Sequence, residues 1–247
     1  MTRLSFPAAW LAAVFLALVL LFFAGIVPAH AAAPSFRYSS VEEAKALALD
    51  CLMTCGFSVE YGNDGTANGS HPLLRWADTI YIYVGGSPAA EDLNELDVFL
   101  LELATHCPNM PNIHRVTDRS SANICIYYCP LNEMGYYLTN YTEGNWGYFS
   151  YWNNSSGEIY QAEIAIATDV NTRQSKNHLL REELVGAFGL TNDHSSYSDS
   201  ILYSEWTTTP QLSDLDWLML NMLYDPDLSP NTSSTDAYRI LKDKIWQ

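Results

Sequence analysis

Positive charge is scarce in this sequence: 12 Lys and Arg stand against 28 Asp and Glu. So acidic a surface repels nucleic-acid phosphates and anionic lipid, which argues against nucleic acid as a partner. Long apolar runs are scarce as well. One extends from Ala8 to Val27, and no later stretch reaches the length needed to cross a bilayer. The five cysteines (Cys51, Cys55, Cys107, Cys125 and Cys129) include no CxxC pair, so they do not spell a structural zinc site. The HExxH motif, which puts two zinc-binding histidines one turn apart on a helix, is absent too.

What is present begins with the apolar run, followed by Ala29-His30-Ala31. Small residues flanking a variable one mark a signal cleavage site. Residues 1–31 therefore read as a secretory signal or, alternatively, as an uncleaved N-terminal anchor, the only membrane contact expected. The remainder, 32–247, is one domain's worth of chain, secreted or held at the cell surface. Export permits disulfides, and an odd number of cysteines leaves at least one thiol free or paired between chains. Cys125 and Cys129 fall in the strand-like "NICIYYC", about 13 Å apart, too far to bridge each other. Each would need a partner among Cys51, Cys55 and Cys107.

The remaining elements follow from periodicity and caps. "SSVEEAKALALDCLMTC" reads as a helix capped by Ser39 or Ser40. "TIYIYV" reads as a strand. Ser87-Pro88 opens a helix with proline in its first turn, and Leu93, Leu96, Phe99, Leu100 and Leu103 recur along it at helical spacing. "NIHRVT" and "ANICIYY" are strands. A Tyr- and Trp-rich hairpin follows, turning at "NNSSG" with its second strand over Glu158–Thr168. Its aromatics either pack cross-strand or, if Trp146, Tyr148 and Trp152 form one exposed face, stack on sugar rings of a cell-wall partner. Ser175 is the expected cap of the next helix and Gly189 its C′ glycine. A helix capped at Ser213 and a final amphipathic one complete the chain. Helices and a short mixed sheet sharing one core make an α+β fold.

The stretch from His178 to His194, "HLLREELVGAFGLTNDH", carries the functional question. Aligned through Gly189 with the metzincin zinc helix, Glu182 falls at the first histidine, Glu183 at the general-base glutamate, Gly186 at the second histidine and Asn192 at the third ligand. The surrounding motifs extend the pattern: "LRWADTIYIYVGG", "SANICIYY", "REELVGAFGLTND" and "LYDP" occur in that order between Phe57 and Pro230. In this order they resemble an exported bacterial family classified only as a domain of unknown function. That resemblance implies a zincin-like, metzincin-like α+β fold whose degenerate active-site helix covers about 175–188, without the HExxH ligands.

The residues point the same way. Glycine offers no metal donor, and the Asn192 amide is a poor zinc ligand. Non-catalytic binding, through a cell-wall or protein partner, is the expected activity, with no cofactor. If there is catalysis, Glu183 and Glu182 are its candidates. The alternative is a metal-dependent hydrolase in which His178, Glu182 and His194 hold zinc in a shifted frame, since His178 and Glu182 stand at i, i+4. Gly189, Asn192 and Asp193 are expected to shape the turn. An inward Glu182 should have a partner, either loop amides or one of Arg75 and Arg115. His178 near the helix start would otherwise be solvated, and Glu183 would point to water.

Overall fold

The computed structural model describes residues 33–59 and 69–246; the signal or anchor segment lies outside them. Ser40 opens α1 (Val41–Cys55) by accepting the Glu43 N–H on its hydroxyl. The two-residue strands β1 (Ser58–Val59) and β2 (Gly69–Ser70) pair antiparallel. Then come β3 (Ile80–Gly86), α2 (Ala90–His106), β4 (Ile113–Val116), β5 (Ile124–Cys129), the short α3 (Met134–Tyr137), β6 (Gly147–Asn153), β7 (Ile159–Ala167), α4 (Arg173–Ala187), α5 (Asp214–Leu223) and α6 (Ser234–Ile245). Two starts differ from expectation. Helix α2 begins after Pro88, with the Asp92 carboxylate receiving the Ala89 N–H. Helix α4 is capped by Thr172, not Ser175; the Ser175 N–H donates to the Thr172 hydroxyl, and Ser175 itself is buried one turn in.

The main sheet has the order β4-β3-β5-β7-β6. Strands β3, β4, β5 and β7 run parallel, and β6 closes the edge antiparallel to β7 as a hairpin. This is the α+β arrangement expected, with α4 packed against β6 and β7. Side chains alternate across the strands. On one face Ile82, Ile126 and Ile164 are fully buried among Leu180, Leu184 and Phe188, each worth about 1.5–3 kcal/mol of burial. On the other face a smaller cluster forms around Tyr127, Met134 and Ala165.

All five cysteines are free thiols, which corrects the expected pairing. Cys51 and Cys55 share α1, Cys125 and Cys129 share β5, and Cys107 ends α2. Cys51, Cys55, Cys107 and Cys129 are buried and pack as small apolar groups. Burial pushes the Cys107 thiol up to about 12, so it does not present a reactive thiolate.

Candidate functional site

Helix α4 is rich in polar residues yet mostly buried, because its charges have partners. Arg173, Asn177 and Arg181 recur every fourth residue and share a face. That face meets the acidic side of α2. Arg173 binds the buried Asp92, and Lys176 Nζ lies 3.1 Å from the same carboxylate. Asn177 donates to Glu95 at 3.0 Å. Arg181, 2 % exposed, donates from Nε to Glu95 at 2.7 Å and from Nη1 to Glu102 at 2.5 Å. Its guanidinium lies 4.6 Å from the Phe99 ring centroid. Burial alone would lower the Arg181 pKa, but the hydrogen bonds to Glu102 and Glu95 outweigh it. With that side fixed, Leu180, Leu184 and Val185 turn into the core.

The same orientation buries His178, which is 2 % exposed rather than solvated. Its Nδ1 lies 2.8 Å from the Thr209 carbonyl. A carbonyl only accepts, so Nδ1 carries a proton. Its Nε2 lies 3.3 Å from the Glu182 carboxylate, one turn on. Burial disfavours the charged ring, but the Glu182 hydrogen bond and charge, with the Thr209 carbonyl, raise its pKa above the ordinary value. Glu182 thus has a partner, and it is not an arginine. Arg75 donates to the carbonyls of Leu223 and Asp225 at 2.9 and 3.1 Å, and to that of Leu228. Arg115 pairs with Asp97 at 2.7 Å.

Glu183 does not point to water either. It is buried, with Oε1 only 2.5 Å from where a Cβ on Gly147 of β6 would stand. One turn further on, a Cβ at Gly186 would lie 2.5 Å from Cε1 of Phe149. No side chain fits at Gly186, a histidine included, unless that ring moves. Past the helix, Gly189 has φ +123°, and an added Cβ would stand 2.3 Å from the Leu74 carbonyl oxygen, so only glycine turns here. The exit is then tied down by polar bonds. The Asn192 backbone N–H donates to the Cys55 carbonyl at 3.1 Å and its side-chain amide to Ser58 Oγ at 2.7 Å. The Thr191 hydroxyl donates to the Ser58 carbonyl at 2.9 Å.

His194 stands elsewhere. It bridges to Tyr203, its backbone N–H donating to the Leu202 carbonyl at 3.0 Å, and its Nδ1 accepts the Ser196 N–H at 3.2 Å. Its Nε2 is buried with no hydrogen-bond partner, and burial pushes its pKa down to about 4. Among the described residues, no three His, Cys, Asp or Glu side chains converge as a metal site. His178 and Glu182 meet; His194 does not join them.

Between β6 and α4, rimmed by the segment from Leu202 to Thr207, lies an open cleft of about 1550 Å³. Strand β6 is the sheet edge. The Trp146 carbonyl accepts the Ala167 N–H at 2.8 Å. By antiparallel alternation, Tyr148, Ser150 and Trp152 bond to β7, while Gly147, Phe149 and Tyr151 turn their backbone groups to the free edge. All three line the cleft, as do Glu182, Glu183 and Asp193. At one end Trp146 meets Trp206 edge-on, with centroids 5.3 Å apart, and Trp206 lies 6.1 Å from the His178 ring. Of the two alternatives for the hairpin aromatics, packing holds for Tyr148, which belongs to the far-side cluster and lies edge-on against Tyr141, while Trp146 turns to Trp206.

Sequence reasoning missed four participants: Phe149, Arg181, Trp206 and the free edge of β6. Only Arg181 left a readable signal. It follows Asn177 by four, and Glu95 and Glu102 are seven apart on one face of α2.

No curated protein matches the chain. The solved structure of myroilysin resembles it at TM-score 0.40 and 13 % identity, covering 62 % of this chain and 97 % of that one. The family model described as "Protein of unknown function (DUF2927)" matches residues 50–243, and the chain therefore belongs to the DUF2927 family.

Proposed function

We propose that this chain is an exported binding protein that holds an extended polypeptide along the free edge of β6 and does not cut it. The observation that carries the reading is that edge. Among the described residues, Gly147, Phe149 and Tyr151 of β6 have backbone donors and acceptors without a strand partner, facing a cleft large enough for a strand, the geometry by which a peptide joins a sheet.

The places that zinc chemistry would use are put to other purposes. Gly186 has no donor and lies under Phe149. The Asn192 side chain is anchored by its Nδ2, which donates to Ser58 Oγ, and both ring nitrogens of His178 are engaged. These residues do not fit a zinc ion, and among the described residues His194 does not converge with His178 and Glu182. Glu183 then has no metal-bound water to activate.

The test is to incubate the purified protein with a pool of unstructured peptides, with and without added zinc. Amide exchange is followed on β6, and peptide cleavage by mass spectrometry. Protection confined to Gly147, Phe149 and Tyr151, with the peptides intact, is the expected result. Zinc-dependent cleavage that a Glu183→Gln variant abolishes would overturn the reading. So would the absence of any protection on β6.

A further inference from the structure

We infer that the chain held in this cleft is positively charged, and that one of its ammonium or guanidinium groups sits at the tryptophan end, against Trp206. The inference rests on the edge-strand reading and adds the chemistry of the occupant.

Charge complementarity is the first support. Among the described residues, four carboxylates line the cleft, on Glu182, Glu183, Asp193 and Glu205, and its basic side chains are His71 and His178. His178 is already answered by Glu182, and no Lys or Arg lines the cleft. The basic residues of α4 (Arg173, Lys176 and Arg181) are turned instead to α2, where Asp92, Glu95 and Glu102 hold them. The cleft is thus negative by placement as well as by composition, and an acidic cleft concentrates its field on whatever enters.

The second support is aromatic. Trp206 is 58 % exposed and Trp146 38 %, large apolar surfaces for side chains that usually bury. Their planes meet at 75°, so the two indoles form a corner. A cation in such a corner meets the negative face of one indole. The same corner stands beside the His178–Glu182 pair through Trp206. A ring face set in an acidic cleft selects a cationic group over a neutral one, and the β6 edge holds the backbone that carries it.

Binding is to be measured with the full protein and three extended peptides of one length and one apolar pattern, carrying lysines, glutamates or neither. The lysine peptide should bind about tenfold tighter than the neutral one, the difference shrinking at high salt, and the glutamate peptide weakest. Trp206→Ala should weaken only the lysine peptide, by about fivefold. Glu205→Gln should reduce the preference for charge, and Trp246→Ala, an exposed tryptophan at the end of α6, should change nothing. Equal binding of all three peptides would overturn the charge inference and leave the edge-strand reading standing. Failure of every peptide, with binding of a neutral oligosaccharide that Trp206→Ala abolishes, would overturn both.

Discussion

At its N-terminal half α4 is fastened by charge: Arg173, Lys176 and Arg181 face Asp92, Glu95 and Glu102, and His178 faces Glu182. At its C-terminal half and exit it is fastened by close packing. Gly186 lies under Phe149, Gly189 lies against Leu74, and Leu184, Val185 and Phe188 are fully buried. One helix therefore carries two kinds of sensitivity. Its first half should respond to loss of a partner and to pH, its second half to a single added methyl group. The first half keeps polar groups and satisfies them within the protein, and the second half packs the Phe149 ring over Gly186.

The charge half should break hardest. Arg181→Ala leaves Glu95 and Glu102 without their shared cation. Breaking a buried pair costs about 3–5 kcal/mol, and because Glu102 is 28 % exposed and can turn to water, the expected loss is about 3 kcal/mol. Urea unfolding measures it. An unchanged midpoint would mean that α2 and α4 do not depend on this network.

Next comes His194, on the segment beyond the exit. Its folded pKa is depressed by burial to about 4, against an ordinary value of 6.5. The unfolded chain then binds the proton more readily. Stability contributed by the neutral ring is present above about 6.5, falls as pH drops through the window to about 4, and levels off below it. The whole span is worth at most about 3 kcal/mol. A His194→Asn variant, whose Oδ1 can take the Ser196 N–H in place of Nδ1, should flatten the unfolding free energy between those two values. If the variant keeps the wild-type slope, the acid sensitivity belongs elsewhere.

Much of this was legible in the sequence, and the parts that were not share a cause. Strand alternation in "TIYIYV" and "ANICIYY", the Ser40 and Ser213 caps and the β6/β7 hairpin are local patterns, and all of them stand. So is the His178–Glu182 spacing, set by one helical turn. Thr172 and Ser175 both fit as caps, and which one served depended on where the chain left β7. What composition could not reveal is long-range. Phe149 reaches Gly186 across 37 positions, and His194 is placed by Tyr203. The glycine at 186 was visible in the sequence; the ring packed against it was not.

The packing half should yield to a smaller change. Gly186→Ala puts a Cβ 2.5 Å from Phe149 Cε1, an overpacking expected to cost about 2 kcal/mol. Phe149→Leu on its own removes ring contacts and should destabilise too. In combination the two losses should not add, because the smaller side chain relieves the clash. A double-mutant cycle on unfolding free energies reads the coupling; strict additivity would mean that the ring is free to move aside.

The smallest effect expected returns to the charge half and carries the opposite sign to His194. The His178 pKa is raised, by Glu182 and the Thr209 carbonyl against the opposing effect of burial. The folded state therefore holds this proton more tightly than the unfolded chain. The stability it contributes is fully present below the unfolded value near 6.5 and is lost as pH rises through the higher folded one. Two histidines on either side of one glycine turn thus shape opposite flanks of the pH profile, the acid flank through His194 and the near-neutral to alkaline flank through His178. A His178→Gln variant can still donate to the Thr209 carbonyl but carries no charge to share with Glu182. It should flatten the upper flank alone and leave the slope between about 4 and 6.5 as in the wild type. Two-dimensional NMR of the His178 ring gives an independent reading: its resonances should titrate above those of a free histidine, and Glu182→Gln should move them back down. Should the Glu182→Gln variant leave the ring's titration unmoved, the pair is a contact without electrostatic consequence, and the first half of α4 is held by its arginines alone.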